Sequence, residues 1–333
     1  MNFPLNRVNI ADYFKNLLKN RKGGVALVLV IWAMVMLTAI AGEFTYSMRT
    51  ELNIVRNLKE EEESYQSALA GIELAKLEIL SAKKSSYVYM NEDGILVLLQ
   101  ENENPVRTFE LENGSFSYTI NDEDGKLNIN NATLPQLKYI VRNTGIDDIA
   151  AVDTIVDSII DWKDTNDLHM LNGAEEDYYQ SLENPYSCKD GSFDIIDELL
   201  LVKGVTPEIF YGSEKKDDEE EETDESESDE KQGLKGIAQY FTPFARGNIN
   251  INTAPELVLE AVFGIEAAQN IIIQRKAGPV LTGVGGGSLT SFVFTVISTG
   301  TARDGKIKRT IKTTLKKRGM KLEVIYWNDN FIG

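Results

Sequence analysis

The longest uninterrupted apolar stretch of the chain runs from Val25 to Gly42, eighteen residues without a charge in which Thr38 is the one clearly polar side chain. As a helix it spans about 27 Å, close to the hydrocarbon thickness of a bilayer. Beyond it the apolar positions thin to a helical period. No proline interrupts Glu43 to Lys84, and Tyr65, Leu69, Ile72 and Ile79 fall near one face with Ala68 and Ala75 beside them. Gly71 weakens such a helix without breaking it. The pattern predicts one helix of roughly sixty residues over 25–84, its first half suited to lipid and its second amphipathic. After Lys84 the period shortens to two. Strands are predicted at Gly94–Gln100, Arg107–Glu112 and Ser115–Asn121, with Asn113-Gly114 as a hairpin signal between the last two. Ser288–Trp327 again reads as strands, turning at Asp304-Gly305. The fold class is therefore α+β: a long N-terminal helix, an antiparallel sheet built from sequence-distant halves, and a large helical insert between them.

The insert carries a weak internal repeat. "LNINNATLPQL" at Leu127–Leu137 matches "ININTAPEL" at Ile249–Leu257 after a two-residue gap, and each leads into a helix pattern and a glycine turn, "NTGID" at Asn143–Asp147 and "VFGIE" at Val262–Glu266. Asn or Thr before Pro, an apolar helix, a glycine turn and a second helix make a helix-hairpin-helix or SAM-like unit. "LLLVKGVTPEIF" at Leu199–Phe210 follows the same turn logic. The divisions expected are 1–24, 25–84, 85–125 for the first part of the sheet, 126–212 for the insert, 213–233, 234–282 for the second hairpin unit, and 283–333 for the rest of the sheet.

Charge refines this division. The formal net charge is −18, and Glu214–Lys231 alone holds twelve acids against three lysines with no apolar residue, so 213–233 is expected to be a disordered acidic linker. Arg7, Lys15, Lys19, Arg21 and Lys22 precede the apolar run against Asp12, which keeps the N-terminus cytoplasmic and sends the body across. An acidic body disfavours general attraction to nucleic acid. One cysteine, Cys188, and one histidine, His169, allow no intrachain disulfide, no cysteine cluster for zinc and no zinc site on two histidines. Nor do they compose a nucleophilic triad, and "GVGGGS" at Gly283–Ser288 lacks the spacing of a phosphate loop, so no enzyme is expected.

Carboxylates crowd one place. Asp161, Asp164 and Asp167 recur every third residue at a predicted helix end, and Glu175 and Glu176 follow the Gly173 turn, with Asn172 a weaker addition. On spacing alone such a loop is either a solvated acidic surface or a cation site. If a cation, oxygen donors in that number suit Ca²⁺ better than Mg²⁺, and the spacing is not that of an EF-hand. His169 reads as a surface or packing residue.

The basic leader ending in Gly24, the uncharged run and the continuous helix resemble a type IV prepilin-like protein. That resemblance implies cleavage by prepilin peptidase between Gly24 and Val25, with the anchor retained, rather than signal-peptide cleavage near Ala39-Ile40-Ala41. Members of that class commonly carry Glu at the fifth mature position, where this chain has Leu29. The same departure, together with "GVALVLVIW", "AGIELA", "DSIIDWKDTND", "NGAEEDYY", "NPY" at Asn184–Tyr186 and "DELLLVKGVTPEIFYG" at Asp197–Gly212, is similar to the minor pseudopilin K subunit of type II secretion.

What the resemblance implies is an assembly role. It implies a single-pass inner-membrane protein with a periplasmic body, at the tip of the pseudopilus, initiating or capping a fibre that exports folded proteins. Its partners would be the I, J and H type minor pseudopilins, the inner-membrane assembly platform and prepilin peptidase, with methylation of the processed chain. A structural Ca²⁺ in the insert, with Asp161, Asp164, Asp167, Glu175 and Glu176 as candidate ligands, is implied as well. Two alternatives share the pattern: a membrane-anchored helix-hairpin-helix DNA receptor, and a type IV pilus minor tip subunit. Against the first, Ile146-Asp147-Asp148 and Ile265-Glu266 put acids at the turns, and only Arg275 and Lys276 stand near as cations.

Overall fold

A computed structural model describes residues 10–82, 88–91, 93–98, 105–213, 233–279, 286–303 and 305–332, with backbone only for 10–23. The acidic run at 214–232, residues 1–9 of the leader, 283–285 of "GVGGGS" and the last two residues of the first predicted strand lie outside the described residues. The chain divides into two units, Met1–Glu62 and Glu63–Gly333.

Helix α1 is continuous over Ile10–Ser81. Its segment from Gly24 onward is long and apolar enough to cross a membrane, and the apolar window is wholly exposed, which makes it a candidate anchor. Within the second unit the helix buries Ala68, Ile72, Ala75 and Ile79, a spacing of four, three and four that keeps one stripe inward. Each fully buried isoleucine contributes about 1.5–3 kcal/mol.

That stripe lies on a five-stranded antiparallel sheet of β3 (Thr108–Leu111), β4 (Gly114–Asp122), β7 (Val293–Ala302), β8 (Lys308–Arg318) and β9 (Lys321–Asn328), in the order β3-β4-β7-β8-β9. The central pair joins the two sequence halves, Gly114 facing Ala302 and Asp122 facing Phe294. Phe116, Tyr118, Ile120, Phe294, Val296, Ile311 and Leu315 point into the helix side. The two-residue pairs β1 (Tyr89–Met90) with β2 (Leu96–Val97), and β5 (Leu127–Asn128) with β6 (Phe241–Thr242), flank this frame. Gly71 explains itself here: a Cβ would collide with the Ser298 hydroxyl. On the strand, a Cβ at Gly300 would run into the helix backbone at Ser64 and Ala68. Two glycines thus let helix and sheet approach.

The insert folds as two hairpins. The first is α2 (Leu134–Arg142) and α3 (Ile149–Lys163), the second α6 (Glu256–Phe263) and α7 (Ile265–Arg275), and α2 packs on α6. Gly264 adopts φ +83 at its turn and Gly145 φ +100 at the other, backbone that a side chain rarely tolerates. Leu199–Phe210 forms a 3₁₀ turn at Ile196–Leu201 and the short α5 (Pro207–Tyr211). A separate core of Leu137, Ile140, Ile155, Ile159, Val258 and Ile271, among others, fills the insert.

Candidate metal centre

The repeat identified from sequence is a tertiary repeat as well. Asn128 accepts its own chain's Asn130 N–H at 2.9 Å, and Asn250 does the same for Asn252 at 3.0 Å, so each "NIN" closes an Asx turn. The free amide hydrogens of each tie a distant segment, Asn128 to the Ala245 carbonyl and Asn250 to Val88, Asp122 and Ser291. At the end of the second helix of each hairpin stands a cation. Lys163 donates to the Ile129 and Ala132 carbonyls at 2.9 Å, and Arg275 to the Ile251 and Ala254 carbonyls, which are the same two positions of the repeat. Burial pulls the Lys163 ammonium down to about 8 and Arg275 down to about 10. Arg275 is thereby committed to main-chain carbonyls rather than turned to an external phosphate.

Past Lys163 the first hairpin delivers its carboxylates to one place. Asp161, in the last turn of α3, has no exposed surface, and its two oxygens accept the Met170 N–H at 3.1 Å. Gly173 must be glycine, because a Cβ would overlap the Asp161 carboxylate. Asp157 accepts both the main-chain and side-chain N–H groups of Asn172 at 3.0 Å, and Lys203 donates to the Asn172 and Gly173 carbonyls. The loop from Asp164 to Gly173 is therefore fastened at its far end to α3.

Glu175 opens the short helix α4 (Glu176–Gln180) and is 3% exposed, yet among the described residues neither carboxylate oxygen has a hydrogen-bond partner. Burial first, then the carboxylates of Asp161, Asp164 and Asp190, push its acid up to about 7. Burial also raises Asp161. A buried, orphaned carboxylate among three others is costly unless protonated or neutralised by a cation. The donor set is carboxylate oxygen without imidazole, which fits a hard divalent ion such as Ca²⁺.

The five sequence candidates part company here. Asp161 and Asp164 lie near enough to Glu175 for their charges to raise its acid, while the donor atoms that gather within 4.8 Å around it are those of Cys188 and Asp190. Glu176 is occupied, its Oε2 accepting the Cys188 N–H at 2.6 Å and its Oε1 the Gln180 amide at 2.8 Å. Asp167 is exposed on the loop, and Asn172 is spent on Asp157. His169 pairs with Asp177 at 3.0 Å on the surface. Sequence spacing missed Asp190. It lies fifteen residues after Glu175, and its signal was the Asp-Gly pair at Asp190-Gly191. Among the described residues it is the non-glycine residue with positive φ, at 48°. Beside the cluster, Trp162 packs edge-on against Tyr179 with ring centroids 5.1 Å apart.

An apolar candidate anchor helix, leading into an antiparallel sheet interrupted by a helical insert that holds buried carboxylates, gives the chain a pilin-like architecture with a candidate membrane anchor. Residues 109–212 match the family model described as Type II secretion system (T2SS), protein K. The putative type II secretion system protein K of Escherichia coli K12 is 26% identical over 208 residues, covering 58% of this chain and 61% of that protein. Type II secretion system protein K of Aeromonas hydrophila is 22% identical over 209 residues, covering 57% and 61%. The chain thus spans about three fifths of the length of these relatives. In fold it is similar to a chain of the GspK-GspI-GspJ complex from enterotoxigenic Escherichia coli, with a TM-score of 0.54, 18% identity, and coverage of 84% of this chain and 98% of that one. The resemblance to protein K therefore holds in sequence and in fold.

Proposed function

We propose that the chain is a minor pseudopilin of a type II secretion system, anchored in the inner membrane with its body in the periplasm and placed at the tip of the pseudopilus. Its work is assembly rather than catalysis. The observation that carries this is the joining, in one chain, of an uncharged apolar helix to a sheet interrupted by the helical insert that protein K relatives share. Leu29 in place of a carboxylate denies the subunit the charge pair by which it would dock beneath an earlier one. A bulky insert and no such pair suit a subunit that starts or caps a fibre. Its partners are then I, J and H type minor pseudopilins, the assembly platform and prepilin peptidase.

Calcium is part of the proposal. Asp161, Asp164, Glu175 and Asp190 would hold it, supplying charge neutralisation to Glu175 and fixing the loop after α3 against the start of α4. Two measurements test the whole. Intact mass of the protein from membranes with and without prepilin peptidase should show loss of residues 1–24, leaving Val25 first, only when the peptidase is present. Copurification should recover the I and J type subunits with it. An intact leader, or a cut after Ala41, overturns the proposal. The DNA-receptor alternative gains nothing from the hairpins, since Arg275 is turned to carbonyls and acids occupy the turns.

A further inference from the structure

Cys188 stands where the oxygen cluster meets the loop that follows α4. Its Sγ, a Glu175 oxygen and an Asp190 oxygen all lie within 4.8 Å of one another. Cys188 is buried, and its position is fixed by the bond from its own N–H to Glu176. On the next residue, the Lys189 ammonium bridges Asp194 and Glu198 at 2.7 Å, which holds the loop in place. Glu175 brings both oxygens to this point buried and without a partner. Asp190 is exposed and forms the open side by which an ion can enter.

The donor types differ from those on the other side of Glu175. There, the charges of Asp161 and Asp164 bear on Glu175; here a thiol sulfur stands with two carboxylates. Thiolate donors favour thiophilic divalent ions over calcium. Metal–sulfur bonds of about 2.3 Å and metal–oxygen bonds of about 2.0–2.2 Å at tetrahedral angles need sulfur and oxygen roughly 3.5 Å apart, and the three donor atoms here stand within 4.8 Å.

We propose that Glu175, Cys188 and Asp190 form a second cation site, for a thiophilic divalent ion of the zinc and cadmium class, which shares Glu175 and Asp190 with the oxygen cluster. As the metal–sulfur bond forms, the thiol proton passes to solvent and water completes the fourth position. Because Glu175 serves both sets, an ion bound to the thiolate displaces one bound to the oxygens. The proposal is independent of the chain's role in secretion and meets the calcium reading at Glu175 and Asp190.

The test uses the full chain in detergent micelles after chelator treatment, with Cd²⁺ followed by its cadmium–thiolate charge-transfer absorption and Tb³⁺ followed by luminescence sensitised through neighbouring Trp162. The expected result is a cadmium band saturating at one equivalent, lost in Cys188→Ala, in Glu175→Gln and in Asp190→Asn, with Cd²⁺ quenching the Tb³⁺ signal of the parent protein. Cys188→Ala should retain Tb³⁺ luminescence, which also shows that the variant is folded. Absence of the band in the parent, or its persistence in both carboxylate variants, overturns the thiophilic site. Absence of Tb³⁺ luminescence counts against the calcium reading instead, and leaves the cadmium band to decide this one.

Discussion

Ionising Glu175 in the metal-free chain puts a charge where burial and three carboxylates oppose it. Its acid rises from 4.5 to about 7 on folding, so between these values the folded chain keeps a proton that the unfolded chain has shed. Where the native state binds more protons, stability falls as pH rises. Asp122, buried among Asn250, Thr253 and Ser291 at the root of the insert, moves the same way, from 3.8 to about 7. In chelator, the denaturation midpoint should therefore decline from pH 4.5 to 7, and Glu175→Gln should remove part of that slope while leaving the Asp122 part. Saturating Ca²⁺ should remove the same part in the parent protein. An unchanged slope in Glu175→Gln would count against the centre. In the sequence Asp161, Asp164 and Glu175 were visible as closely spaced carboxylates, whereas the bond from the Cys188 N–H to Glu176 and the place of Asp190 beside Glu175 depend on how the chain folds back.

The contact between α1 and the sheet has one charged bolt. Arg107 grips Glu78 with Nη2 at 2.6 Å and Nε at 3.2 Å, and the Tyr118 hydroxyl donates to the same carboxylate at 3.0 Å. Burial, then the Glu78 charge, pushes that phenol up to about 12. Glu78→Ala leaves a nearly buried guanidinium with the Leu96 carbonyl but no counter-charge, and should cost about 3–5 kcal/mol in denaturant titration. Gly71→Ala, against the Ser298 hydroxyl, should cost about 1–3 kcal/mol, and pairing it with Ser298→Ala should recover part of the loss. Lys317 caps the helix at the same end of the contact, donating to the Ile79 and Ala82 carbonyls. In the hairpins, Lys163→Met strands two carbonyls and should cost about 1–3 kcal/mol, with the same readout. The repeat was visible in sequence as "NIN" and a glycine turn. Its Lys163 and Arg275 ties were not, because different cations at unequal distances along the chain meet equivalent carbonyls only after folding.

For the molecule as a whole, a cation that binds only the folded body should raise its stability with concentration, by about 2.7 kcal/mol at a hundredfold excess over the dissociation constant. Calcium added to chelator-treated protein should raise the thermal midpoint accordingly, and an equal rise in Glu175→Gln would locate the ion elsewhere. The order of the chain decided the architecture early. An uncharged run sets a candidate anchor because lipid tolerates no unpaired polar chain. The helical period, the alternation after Lys84 and the doubled turn signals set helix, sheet and insert, since each is local and repeats along the sequence. Strand order was beyond such signals, because β4 and β7 meet across about 180 residues through main-chain hydrogen bonds that do not depend on side-chain identity. The centre was equally a matter of folding: which carboxylates are buried, which are already bonded and which face a thiol depends on where the chain returns, and only the packed insert fixes that.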